Sequence, residues 1–376
     1  MENINNFGVI ARGIKLPIIK NGDNLGFILC ETITKVINES KLEFKDEDVL
    51  AITESLIARA SGNYVTVDDV ANFVKEKFGE DATVGVLWPI YSRNRFGTIL
   101  KGIARGAKRV VVQLRHGKDE VGNDIVNPWT GVNIIEYYRK VIENENAEAI
   151  IQQSSNASDI MAISEGNVIV STIHSRFADL RELSNHVIWN SDKYNHNNII
   201  TLSDIFNVEN EKHGYNIEYG LLGSNKCGDE QLKLFPRKDT CEFICEHLKT
   251  WIKTKYDKDI HVMVYGDGCF KDPACGIWEF ADPISCPYHT GDLLDKSPNE
   301  LKIKYIADNV TSDEDEIKEL IKQKEEKISN NKMLAQGTTP RRYYDLIASL
   351  CDLTSGSGDR GTPLVWVQNF FKNYSN

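Results

Sequence analysis

No apolar run in the 376 residues reaches the roughly 18–20 residues that a membrane-spanning helix needs, so no membrane partner is expected. Basic excess is missing too. Lys and Arg total 44 against 55 Asp and Glu, for a net charge of −11. An acidic balance repels phosphodiester backbones and anionic lipid, which leaves small molecules as the expected ligands and argues against nucleic acid. Cysteine is scarce, with eight in the chain and no Cys-x2-Cys pair. That excludes a disulfide scaffold and removes the usual sign of structural zinc. Cys30 and Cys351 lie among apolar neighbours and read as small core residues. Met1 to Leu16 carries neither an apolar leader nor a small-residue cleavage pattern, so a cytoplasmic location is expected. There is no Gly-x-Ser-x-Gly elbow, which leaves a serine hydrolase without support.

What is present is enough apolar residue, 41% of the chain, for one large core or two ordinary ones. Asp23 is placed to cap an amphipathic stretch over Asn24–Ile37. Val49–Ile57 reads as a strand, and Thr66 with Asp68 and Asp69 begins a helix running to Phe78. Strand, helix and strand then alternate through Val84–Trp88, Phe96–Arg105 and Arg109–Leu114, a rhythm that predicts parallel crossovers. It continues with a helix near Val132–Ile142 and strands at Ala149–Gln152 and Val168–Ile173. A helix over Lys238–Lys255 leads into a strand at His261–Tyr265. Asp313–Lys327 predicts an exposed charged helix, and a last helix starts near Pro340. The fold class expected is α+β with some α/β character, in two sub-domains of mixed sheets and helices.

Two loops carry the residue types of chemistry. Tyr265-Gly266-Asp267-Gly268 sets a carboxylate at the exit of an apolar strand, and such an oxygen donor suits Mg²⁺ or Mn²⁺. The same residues also make an ordinary turn. Ser355-Gly356-Ser357-Gly358-Asp359-Arg360-Gly361 offers backbone N–H groups, hydroxyls and a fixed positive charge, the makings of an anion-binding nest or of a flexible helix end. No Gly-Lys-Ser/Thr follows it, so it is not a Walker loop. Arg341 and Arg342, and Arg93 and Arg95 in Ser92-Arg93-Asn94-Arg95, can clamp phosphate or form surface ion pairs. His174, His186 and His213 have no metal-ligand spacing.

Four blocks in order resemble the coenzyme F-420-0:L-glutamate ligases, or γ-glutamyl ligases. They are Leu16–Leu25, Asp48–Gly62, the pair Gly220–Asn225 and Val262–Asp267, and Asp345–Pro363. The resembling region covers 12–368 as two interleaved sub-domains, with 88–205 and 287–336 longer than the family's usual connections. The resemblance implies GTP- or ATP-dependent ligation. A carboxylate of a small-molecule acceptor is activated as an acyl phosphate, and the amine of L-glutamate or a related amino acid displaces the phosphate. It further implies Mg²⁺ or Mn²⁺, a monovalent cation such as K⁺, and a homodimer.

Position by position, Leu16, Pro17, Ile18, Ile19, Glu54, Ser55, Arg59 and Asn225 match nucleotide-contacting positions, with Arg59 in place of Lys. Ser355, Gly356, Ser357, Gly358, Asp359 and Arg360 match the loop holding nucleotide and a second metal. Asp267 matches a metal-binding Asp, so Asp267 and Arg59 are the expected catalytic residues. Leu222 stands where the family has another metal-binding Asp. Asp229, or Glu279 and Asp282, are the candidate replacements, and Ser357 completes the expected metal donors. Loss of the Asp at Leu222 favours one alternative, a nucleotide-binding regulatory or structural protein without ligase activity.

Overall fold

The computed structural model describes residues 7–93, 96–119, 122–171, 198–206, 222–226, 228–234, 236–267, 270–271, 278–279, 284–296, 302–325, 342–355 and 360–375. For 203, 206, 222–226, 267, 270–271, 278–279, 284–285 and 324–325 the description is of backbone alone.

The chain opens with β1 (Ile10–Ile14), α1 (Leu25–Ser40), β2 (Val49–Thr53), α2 (Glu54–Ala60), β3 (Tyr64–Thr66) and α3 (Val67–Phe78). In α1, Leu25, Leu29 and Ile33 recur every four residues and form its buried stripe. The cap expected at Asp23 falls one residue later. Asn24 Oδ1 accepts from Phe27 N at 3.0 Å, while Asp23 accepts from Lys20 N at 2.6 Å and fixes the preceding turn. The strand expected to reach Ile57 stops at Thr53, where helix takes over. Thr66 caps α3 as expected, in a reciprocal box with Asp69.

The segment that follows builds a sheet of its own. It runs through β4 (Thr83–Leu87), α4 (Phe96–Arg105), β5 (Arg109–Leu114), α5 (Ile134–Glu143), β6 (Glu148–Gln153), α6 (Asp159–Ile163), β7 (Val168–Val170), β8 (Ile199–Thr201) and α7 (Leu202–Phe206). The strands are all parallel, in the order β6-β5-β4-β7-β8. Their residues alternate between two cores. Val84, Val86, Val110 and Val112 meet α4 and α5, while Leu87, Val111, Val168 and Val170 meet α6 on the other face. This sheet is the α/β part of the α+β fold.

The remainder comprises β9 (Leu222–Lys226), β10 (Gln231–Leu234), α8 (Lys238–Tyr256), β11 (His261–Asp267), β12 (Phe270–Lys271), β13 (Trp278–Glu279), β14 (Ile284–His289), α9 (Ile303–Asn309), α10 (Glu314–Glu325), α11 (Tyr343–Ser355) and β15 (Leu364–Gln368). A mixed sheet of order β1-β15-β2-β11-β14 joins the two ends of the chain, with only β2 and β11 paired in parallel. Leu50, Ile52, Val262 and Val264 face α1 and α8, whereas Val49, Ala51, Met263 and Tyr265 face α11. Charged α10 is not bare, since Ile317 and Ile321 bury one stripe against Ile306 of α9.

A small sheet, β3-β10-β9, bridges the two large ones. Leu232 and Leu234 of β10 belong to the core of the parallel sheet. The residue between them, Lys233, points the other way, toward α2.

Candidate active site

The candidate site lies where β2 gives way to α2. Thr53 N donates to Pro363 O at 3.0 Å, tying the end of β2 to the approach of β15. The next residue, Glu54, puts a carboxylate in the first turn of α2, where the helix dipole favours negative charge, yet its side chain is only 1% exposed. Parallel pairing sets Tyr265 beside Thr53, so Gly266 and the backbone of Asp267 come alongside the start of α2. A Cβ at Gly266 would overlap Cγ of Glu54 and crowd its Cβ at 3.1 Å. Glycine is what lets the two backbones approach.

Into this corner β10 sends Lys233, whose side chain is 3% exposed. Its Nζ donates to Ser55 Oγ and lies 3.9 Å from Glu54 Oε1. A cation, a carboxylate and a hydroxyl are thus gathered out of water, in a setting where electrostatic interactions are stronger than at the surface. No signal in the sequence singles out Lys233, which sits between two leucines in an alternating strand.

Other segments close around the same corner. Leu16 N donates to Gly361 O at 3.3 Å and Gly22 N to Ala60 O at 2.9 Å, which lays the loop Leu16–Ile19 between the end of α2 and the approach to β15. Ile19 anchors that loop in the core, and Ile18 is 79% exposed. Gly62, at φ +65°, turns the chain under Asn21, a backbone conformation that favours glycine. Arg59 is exposed on α2, one turn beyond Ser55. At the end of α11, Thr362 Oγ1 donates to Ser355 O at 3.2 Å, and Arg360 is exposed. Burial pushes the Tyr265 phenol well above its ordinary value, opposed by the nearby Ser355 hydroxyl. The two flanks of the glycine loop therefore lie beside the ends of β2 and β11.

Gly356, Ser357, Gly358, Asp359 and Asp282 lie outside the described residues, as do His174, His186 and His213. Asp267, Glu279 and Asn225 are placed by backbone alone, Asp267 opposite Ile284, Glu279 opposite Phe270 and Asn225 within β9. Leu222 pairs with Leu234, and Asp229 is exposed in the turn between β9 and β10. Among the described residues no group of three or more His, Cys, Asp or Glu is gathered as a metal site. Cys30, Cys241, Cys245, Cys286 and Cys351 are buried free thiols, and burial raises their pKa, Cys30 to about 11. Thiolate chemistry is disfavoured at each of them.

A cleft of about 360 Å³ opens at the far end of α2 from Glu54, lined among others by Asn24, Ile57, Ser61, Phe243 and His247. The Phe243 ring is 71% exposed and stacks on His247, with centroids 6.3 Å apart and planes 15° from parallel.

A family model described as F420-0:Gamma-glutamyl ligase matches residues 13–369. A coenzyme F420:L-glutamate ligase from Methanosarcina acetivorans is 28% identical over 86 residues, which is 22% of this chain and 30% of that protein's length. Among solved structures, the tetrameric eIF2B-beta2-delta2 complex from C. thermophilum aligns at 14% identity over 36% of this chain and 41% of the other, with a TM-score of 0.23. eIF2B beta from Chaetomium thermophilum aligns at 14% identity over 36% and 40%, with a TM-score of 0.22.

Proposed function

The chain belongs to the F420-0:gamma-glutamyl ligase family, and on that premise we propose that it is a nucleotide-dependent ligase that joins L-glutamate, or a related amino acid, to the carboxylate of a small molecule. The observation that carries this reading is the buried Lys233–Glu54–Ser55 cluster beside the end of β11. A buried ion pair is seldom more stabilising than apolar residues of the same volume. Its presence where Leu16–Ile19, the start of α2, the end of β11 and the approach to β15 meet is accounted for by a substrate that needs a fixed cation.

In the proposed reaction the terminal phosphoryl group of GTP or ATP passes to the acceptor carboxylate, giving an acyl phosphate and a nucleoside diphosphate. The glutamate amine then attacks the acyl carbon, forming the amide and releasing inorganic phosphate and a proton. Lys233 holds positive charge against the phosphate oxygens, where charge builds during transfer. Glu54, with Oε1 3.9 Å from Nζ, aims that ammonium, and the Ser55 hydroxyl accepts a hydrogen bond from it. Arg59 and Arg360, exposed at the rim, contribute forked guanidinium donors to the same phosphates. The cleft at the other end of α2, apolar with Asn24 and Ser61 on its wall, suits the planar base.

The proposed metal donors are Asp267, Glu279, Asp282 and Ser357. All are hard oxygens, a set that fits Mg²⁺ or Mn²⁺ rather than zinc. A divalent ion held by them would neutralise phosphate charge that the basic residues do not reach.

Calorimetry with GTP and ATP, with and without Mn²⁺, tests the reading. Tight binding that requires both the metal and Lys233 supports it. Nucleotide binding indifferent to metal would instead favour the regulatory alternative, to which Leu222 points.

A further inference from the structure

The parallel sheet has features that the ligase reading does not use. Its order, with the first strand β4 in the middle, means that the connections through α4 and α5 run over one face and the one through α6 over the other. The exits of β4 and β5, at Trp88 and Arg115, lie side by side at the carboxyl edge of this sheet, the edge at which open α/β sheets bind ligands. We propose that this edge binds the phosphoryl group of a small molecule, held by Arg115 and Arg93 beside Trp88.

Trp88 leaves β4 with φ +50°, a left-handed backbone rare for so bulky a residue and most often met at functional positions. It is pinned there, its N–H donating to Gln113 O at 2.9 Å and its indole Nε1 to Ser154 O at 3.1 Å. Arg115, at the exit of β5, stacks on it with Cζ 4.5 Å from the ring centroid. Its Nε is buried, and its guanidinium has no hydrogen-bond partner among the described residues. The carboxylate that faces the same loop, Asp119, is committed to Tyr91 N at 2.7 Å and to Asn123 N and Nδ2. An arginine stacked in place with its donors unused is ready for an incoming oxyanion.

The loop from β4 to α4 is equally fixed. Tyr91 OH donates to Arg115 O at 3.1 Å, Tyr138 OH to Ile90 O at 2.6 Å, and Ser92 N to Tyr138 OH at 3.0 Å. The loop ends at Arg93, which is exposed and forms no ion pair among the described residues, just before the start of α4. Glycines that would admit a dinucleotide pyrophosphate onto the backbone are lacking in Trp88-Pro89-Ile90-Tyr91-Ser92-Arg93. Recognition falls to side chains. Arg93, beside the start of α4, and Arg115, tied to the same loop through Tyr91, supply guanidinium donors that match a dianionic phosphoryl group better than a single carboxylate.

Tryptophan fluorescence of the full chain, with Trp88→Phe assigning the signal, reads binding directly. Inorganic phosphate and ribose 5-phosphate should each give a saturable change, and ribose none. Arg115→Gln should raise the half-saturating concentration at least tenfold and the exposed Arg93→Gln at least threefold, whereas the double variant Lys233→Met/Glu54→Met, which disables the proposed ligase site and keeps the volume of the buried pair, should leave it unchanged. If Arg115→Gln fails to fold, Arg93→Gln decides. The proposal is overturned by no saturable response to either phosphate, by wild-type binding in the foldable arginine variants, or by loss of the response in the Lys233→Met/Glu54→Met double variant.

Discussion

Replacing Lys233 by methionine separates the architectural from the chemical role of the buried cluster. Both charged side chains are out of water, Lys233 3% and Glu54 1% exposed. Removing one partner strands the other, which costs about 3–5 kcal/mol in comparable buried pairs. Lys233→Met and Glu54→Met should therefore each lower the unfolding free energy by about that amount, read from the urea midpoint at constant slope. The double variant fills the same volume with two apolar chains and should return to within about 1 kcal/mol of the parent, or exceed it, since such replacements are often neutral or stabilising. Ligation should behave differently. Loss of one fixed donor to a developing negative charge lowers turnover about 100- to 1000-fold, and restoring stability in the double variant should restore none of it. Two results would refute the reasoning. One is a Lys233→Met protein as stable and active as the parent. The other is a double variant that regains ligation.

Gly266→Ala drives a methyl group into Glu54 and should displace the carboxylate from Lys233, costing about 1–3 kcal/mol by overpacking and most of the ligation rate; a thermal melt with a rate assay checks both. Phe243→Ala, at the mouth of the cleft, should raise KM for nucleotide several-fold and leave KM for glutamate unchanged in steady-state kinetics. Burial holds the His261 imidazole below its ordinary value of 6.5, so the unfolded chain takes up a proton that the folded chain resists. The stability this contributes is complete above pH 6.5 and is lost as pH falls through the folded value. A pH series of urea melts should show that decline, and His261→Gln should flatten it.

Where local pattern and tertiary context agree, the sequence was sufficient. Phe96, Ile99, Leu100 and Ile103 recur at helical spacing and form the buried face of α4, between boundaries read correctly at Phe96 and Arg105. Thr66 and Asp69 needed only each other to mark a helix start. Val49–Ile57 reads as one strand only if the apolar run Val49–Ile52 and the pair Leu56-Ile57 are joined across Thr53-Glu54-Ser55, where the structure begins α2. The switch at Glu54 is set by the packing of α2 against β11, which no local pattern encodes. Lys233 was invisible for a related reason. An alternating Leu-Lys-Leu strand predicts a lysine in water, and only the passage of β10 beneath α2 buries it. The strand order of the parallel sheet is equally a property of long-range pairing, although its rhythm of strand and helix was legible.

Phosphate release from GTP or ATP in the presence of Mn²⁺ tests the central claim most directly, measured with glutamate, with a panel of carboxylate acceptors headed by coenzyme F420-0, and with both. Release that requires both, matched mole for mole by an acceptor carrying one added glutamyl residue and abolished in Lys233→Met, is the expected result. Release that ignores the amino acid or the acceptor, or persists undiminished in Lys233→Met, would contradict the account.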